Sequence, residues 1–248
     1  MKKSRGLHWS DSALVPATTK SYCPIPHMDL ITAIIAELNA QGYSVLTNHV
    51  TEARDGDEIV GHMKLYKEGT DDSLPFCQMF AYMNSYNKHL PIKLVSGAHV
   101  FVCGNGMVVG EIFSYRKHTS GIGADLKNLI KVAVESIEGA FQKAINDTRL
   151  MQRFHTDLRS ESELLGRIYV EHELISGVEL NAAIAELRSP SFDSFKARTI
   201  WSLYNHLTYA LKNAPPVRRM DSLKKVHTFL IDHIAPNPEY NVIFSEFE

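Results

Sequence analysis

The chain has 248 residues, with 26 basic and 28 acidic side chains and a formal net charge of −2. That balance excludes a strong global field for non-specific nucleic-acid binding and leaves only a local basic patch. The apolar share of 44% supports a sizeable core, and no window approaches the roughly 20 apolar residues of a membrane helix.

Cys23, Cys77 and Cys103 are odd in number and widely spaced. They argue against a disulfide framework and a thiolate zinc site, and for a reducing, cytoplasmic compartment. Residues 1–28 read as an extended arm, because Pro16, Pro24 and Pro26 oppose helix. Lys2, Lys3 and Arg5 make its start basic, without the apolar run of a signal peptide. A solvated tail is the plain reading of those charges; a phosphate-seeking tail is the functional one.

Leu30, Ile34 and Leu38 lie on one stripe and predict a short helix over 28–40, ended by Gly42. Residues 43–51 and 58–66 alternate around Arg54-Asp55-Gly56-Asp57, a hairpin signal. Residues 76–83 are almost continuously apolar, as suits a strand covered on both faces. Asn84-Ser85-Tyr86-Asn87-Lys88 then supplies turn chemistry. Two further strands are expected over 98–103 and 107–115, separated by Gly104-Asn105-Gly106.

After Gly123, Leu126, Ile130, Ala133, Ile137, Phe141 and Ala144 recur at steps of three and four. They predict one long helix, capped by Thr119 or Ser120 and breaking near Asn146-Asp147-Thr148. Ser160 with Glu163, and Ser176 with Glu179, have capping-box spacing. A helix over 195–212 is expected to end at Pro215-Pro216, and a last one to span 222–234. The fold class is α+β: a mainly antiparallel sheet of about five strands within 29–123, preceded by the short helix. The long helix follows the sheet, and the helical region 124–248 packs on or beside it.

Asn84-Ser85, Val102-Cys103-Gly104-Asn105 and Lys117-His118-Thr119, followed later by Trp201, Asn205 and Thr208, carry a resemblance. Their order resembles the phage/plasmid-like protein family, whose domain is known as domain of unknown function nine-three-two. The match runs from about residue 16 to 234 and is dense only in the middle third. Where that family commonly has an acidic residue after the Asn-Ser turn, this chain has Asn87 and Lys88. The departure removes the basis for carboxylate chemistry there. The resemblance implies an origin in a phage or mobile element, and hence a bacterial host cytoplasm. It implies no activity. The order of elements also looks like that of phage single-strand annealing proteins, an analogy of fold alone.

The leading candidate site is a basic corner: Arg116, Lys117, His118 and Thr119 at the head of the long helix, extended by Lys88 and Lys93. A helix amino terminus attracts anions, and Gly121 and Gly123 would admit a phosphate closely. Its alternative is a solvated strand end with an ordinary cap. Asn84, Ser85 and Asn105 read either as ligand contacts or as local turn bonding. Asn205 and Thr208 join them only if the helices fold back on the sheet, and a structural network is the alternative. Tyr86, placed in a turn, is the aromatic residue available to stack on a base.

Twelve histidines include no HExxH and no paired Cys/His spacing, so neither metal nor cofactor is expected. A triad of Ser85, His118 and a carboxylate would lack a nucleophile elbow. The expectation is therefore a phage or mobile-element accessory protein of DNA metabolism. It would bind single-stranded DNA or RNA through the corner and oligomerise to align several weak patches. A protein-interaction factor, such as an inhibitor of a host defence enzyme, is the alternative; a small hydrolase using His118 is a third.

Overall fold

A computed structural model describes residues 13–71, 74, 76–100, 106–107, 112–119 and 121–235. The α+β architecture is present, with one antiparallel sheet preceded by a helix and followed by helices. Helix α1 spans His27–Ala40 and buries Leu30, Ile31, Ile34 and Leu38. Strands β1 (Tyr43–Ala53), β2 (Glu58–Lys67), β3 (Phe76–Ser85) and β4 (Ile92–Val100) follow in simple meander order. Two short segments, β5 (Gly106–Met107) and β6 (Ile112–Arg116), share the far edge of β4.

The β1–β2 hairpin closes where the sequence predicts it, with Ala53 paired to Glu58. Arg54, Asp55 and Gly56 all take positive φ there. Leu46 falls in a bulge of β1 and is exposed. Gly61 answers a close approach: a Cβ there would sit 2.1 Å from the Tyr82 ring. Tyr82 crosses β2 at that gap and donates to Asn48 Oδ1 at 2.8 Å.

All ten residues of β3 are buried, because both faces of the sheet are covered. Phe80 and Tyr82 face one cluster with Ile59, Met63, Ile92 and Leu94, under α1 and α2 (Ile122–Glu135). Met79, Ala81 and Met83 face the other, with Val95 and the later helices. Those helices are α3 (Ile137–Arg153), α4 (Leu158–Gly166), α5 (Gly177–Arg188), α6 (Ile200–Ala210) and α7 (Pro216–Ile234).

Several boundaries differ from expectation. The fourth strand begins at Ile92 rather than Ala98, because Ile92 and Leu94 pair with Arg116 and Ser114 in the sheet. The predicted Gly104-Asn105-Gly106 reversal lies largely outside the described residues. The long periodic stretch is two helices, broken at Ser136 and not at Asn146. Ser136 Oγ donates to the Ala133 carbonyl at 2.6 Å, and Ser96 Oγ donates to the same oxygen at 3.2 Å. The stripe of α2 thus serves one cluster and most of α3 the other.

Ser176 and Glu179 do form a capping box. Ser160 instead occupies the third position of a box whose cap is Asp157, which accepts from the Ser160 N–H at 2.7 Å. The 195–212 helix is shorter than expected, starting at Ile200 after a 3-10 turn. Pro216 starts α7 instead of ending its predecessor, since a first-turn proline has no N–H to leave unpaired.

Candidate functional site

The corner is built by sheet register. Ile92 pairs with Arg116, so the β3–β4 connection lies beside the chain leaving β6. Ser85 locks that connection: its hydroxyl donates to the Leu90 carbonyl at 2.8 Å and accepts from the Leu90 N–H at 3.0 Å. Asn87 Oδ1 accepts from the His89 N–H at 2.9 Å. Lys88, between them, takes φ 64°, a conformation costly for a lysine. The turn chemistry read from sequence is present, and it commits Ser85 to structure.

A third segment completes the corner. The arm crosses it, with the Cys23 N–H donating to the His118 carbonyl at 3.2 Å. Tyr22 donates its hydroxyl to the Tyr86 carbonyl at 2.6 Å, and the Lys88 ammonium lies 4.6 Å from the Tyr22 ring centre. Asn84 Nδ2 donates to the Ile25 carbonyl and to His27 Nδ1, each at 2.8 Å. That fixes the tautomer: His27 Nε2 carries the proton and donates to the Gly56 carbonyl at 3.0 Å. The Tyr86 ring stacks on His27 at 3.8 Å, and its hydroxyl accepts from the His27 N–H.

Between the three segments is a half-open cavity of about 340 Å³. Ser21 and Tyr22 line it from the arm, Lys88 to Pro91 from the strand connection, and Lys117, His118 and Thr119 from the exit of β6. No carboxylate lines it among the described residues. Behind this wall Glu58 pairs with His89 Nδ1 at 3.0 Å and with Arg54 Nε at 2.9 Å, and Asp57 is close enough to raise the pKa of Tyr22. Lys88, Lys117 and Thr119 are exposed, whereas His118 is only 6% exposed. Neither ring nitrogen of His118 has a hydrogen-bond partner among the described residues. Burial pushes its pKa below the ordinary imidazole value. The Cys23 backbone, close but without hydrogen-bond geometry, opposes that shift, and His27 adds to it. His118 is therefore neutral near pH 7, and its two ring nitrogens are enclosed by protein and not open to the cavity.

Other predicted site residues are placed elsewhere. Lys93 is buried against α7, where its ammonium meets both Asp221 carboxylate oxygens at 2.9 Å. It is a structural ion pair and not part of the basic lip. Tyr86 is 3% exposed and sealed by the arm, so it offers no face to a base. Asn84 is likewise buried, as a clamp for the arm. Arg116 ends β6, and its side chain lies outside the described residues, as does Asn105 altogether. Asn205 donates to the Trp201 carbonyl and Thr208 to the Asn205 carbonyl, both within α6 and away from the cavity.

Gly121 and Gly123 do not line the cavity; Gly123 borders an apolar groove between α1 and α2 instead. The helix cap expected from the Thr119 side chain is not formed. The Thr119 carbonyl accepts from the Ile122 N–H at 3.0 Å in its place, and Ser120 lies outside the described residues. A Ser85–His118 triad does not assemble, since Ser85 is bonded to Leu90 and His118 meets no carboxylate among the described residues. Among those residues no cluster of three or more His, Cys, Asp or Glu could hold a metal ion, and no helix is long and apolar enough to cross a membrane.

Tyr22 and His27 are absent from the sequence reading. They fall in a proline-flanked arm with no periodicity to mark an inward face. Compared with protein-family models, curated proteins and solved structures, the chain matches none.

Proposed function

We propose that this chain binds single-stranded nucleic acid by a phosphate held in the corner cavity, as an accessory factor of mobile-element DNA metabolism. The observation that carries the reading is the cavity itself, rimmed by Lys88 and Lys117 and lined by no carboxylate among the described residues. Two cations set the sign of a matching group as negative.

The mode differs from the one expected. With Tyr86 sealed and Lys93 paired, recognition rests on phosphate and not on base stacking. A single small cavity on a nearly neutral chain gives weak binding, which several copies along one strand would strengthen. The test is a salt titration of oligonucleotide binding by fluorescence anisotropy. Affinity should fall with salt, and Lys88→Asn and Lys117→Ala should each lower the logarithmic slope by about 0.7. Asparagine is the choice at 88 because it tolerates positive φ. Absence of binding at low salt, or slopes unchanged in both variants, overturns the reading.

A further inference from the structure

We infer that the outer edge of strand β1 is an interface between two copies of this chain, paired antiparallel about Val50. The surface is separate from the corner cavity, which other segments build.

β1 ends the strand order. β2 lies on one side of it, and among the described residues no strand lies on the other. No loop backbone among them bonds to residues 47–51 either. The outer side of such a strand presents N–H and C=O groups that can take up another strand. Edges that stay single are commonly very short, or carry lysine or proline. β1 is 11 residues long, has neither lysine nor proline, and carries one charged side chain, Glu52. Its one guard is the bulge at Leu46, which leaves residues 47–53 in regular register with β2. Leu46 itself is a large apolar side chain, 53% exposed, beside that regular stretch.

The regular stretch suits its own copy. Antiparallel pairing of a strand with itself is two-fold symmetric, so each contact occurs twice and the assembly closes at two. The register centred on Val50 uses all of residues 47–53. Val50 then opposes Val50 of the second copy, Thr51 opposes His49, Glu52 opposes Asn48, and Ala53 opposes Thr47. Every opposed pair is an even number of positions apart, so both members point to the same face of the joined sheet. The two Glu52 residues are about 14 Å apart, beyond the screening length at physiological salt. No like charges are therefore set against each other. A head-to-tail stack has little to pair with, because the far edge of the sheet offers only the two residues of β5 and the five of β6 among those described.

The test is sedimentation velocity of the full chain, which should pass from monomer to dimer between low micromolar and about 200 µM protein. Leu46→Lys and Thr51→Lys, made together at two exposed positions, should raise the dissociation constant about tenfold or more. Hydrogen exchange of the unaltered chain gives a second reading that needs no variant. Amides within 47–53 should exchange several-fold more slowly at the high concentration than at the low one. Monomer at every concentration overturns the inference. So does a dimer that both lysines leave intact, or one that protects a different segment. Protection of 47–53 that is strong at every concentration shows the edge covered within a single chain, and overturns it as well. Oligonucleotide binding at the corner is read separately, through Lys88→Asn and Lys117→Ala.

Discussion

At the scale of single residues, the histidines divide by what burial does to them. His62 on β2 stacks across the hairpin on His49, with ring centres 5.1 Å apart. Burial, followed by His49, Lys64 and Arg219, pushes its pKa down to about 4. The unfolded value is about 6.5. Between those values the unfolded chain binds more protons than the folded one. This contribution to stability is therefore full above about pH 6.5 and is lost as pH falls towards about 4. His62→Gln should reduce the loss of stability over that window by on the order of 2 kcal/mol, read by urea unfolding at several pH values. Equal pH slopes in the two proteins would exclude His62 as a source. A slope should persist in the variant, because burial lowers His118 and His206 as well.

Among elements, α3 and α7 are tied by a buried polar contact. Asp147 Oδ2 lies 2.8 Å from His227 Nε2 and 2.6 Å from Lys143 Nζ. Burial alone would raise the Asp147 pKa, but bonds from His227 and Lys143 outweigh it and hold the carboxyl below its usual range. Removing the carboxylate leaves a buried donor without its acceptor. Asp147→Ala should cost about 3 kcal/mol at neutral pH, and a cost below about 0.5 kcal/mol would show that the contact is not holding the helices together. The wild-type contribution is present above the unfolded carboxyl pKa and is lost as pH falls through the folded one.

The same scale shows where reading the sequence stops. The α1 stripe, the hairpin and the doubly buried β3 are legible because period and turn chemistry are local. The break at Ser136 is not, because the apolar steps continue unbroken through it. Only Ser96, on a strand forty residues away in sequence, marks the place where the chain changes clusters.

Across the whole molecule, β3 joins the two clusters. Neighbouring residues on it, such as Met79 and Phe80, face opposite layers. Removing either layer exposes one full face of the central strand, so neither cluster should survive alone. Thermal unfolding should give one transition, with far-UV circular dichroism and Trp201 fluorescence, read in a Trp9→Phe background, coincident. Two separated midpoints would mean that the helical layer unfolds independently of the sheet.

The sequence by itself determined the α+β class, the hairpin, the face pattern of β3 and the presence of a basic segment at Lys117-His118. These follow from periodicity and turn residues, whose range is a few positions. Tertiary structure alone decided which cations stay open. Lys93 and Lys117 are alike as residues, yet Lys93 lies beneath α7 against Asp221 while Lys117 faces the cavity. Tyr86, in a polar turn, is sealed by an arm sixty residues earlier in the chain. Exposure depends on which distant segment covers a side chain, and local spacing carries no record of that.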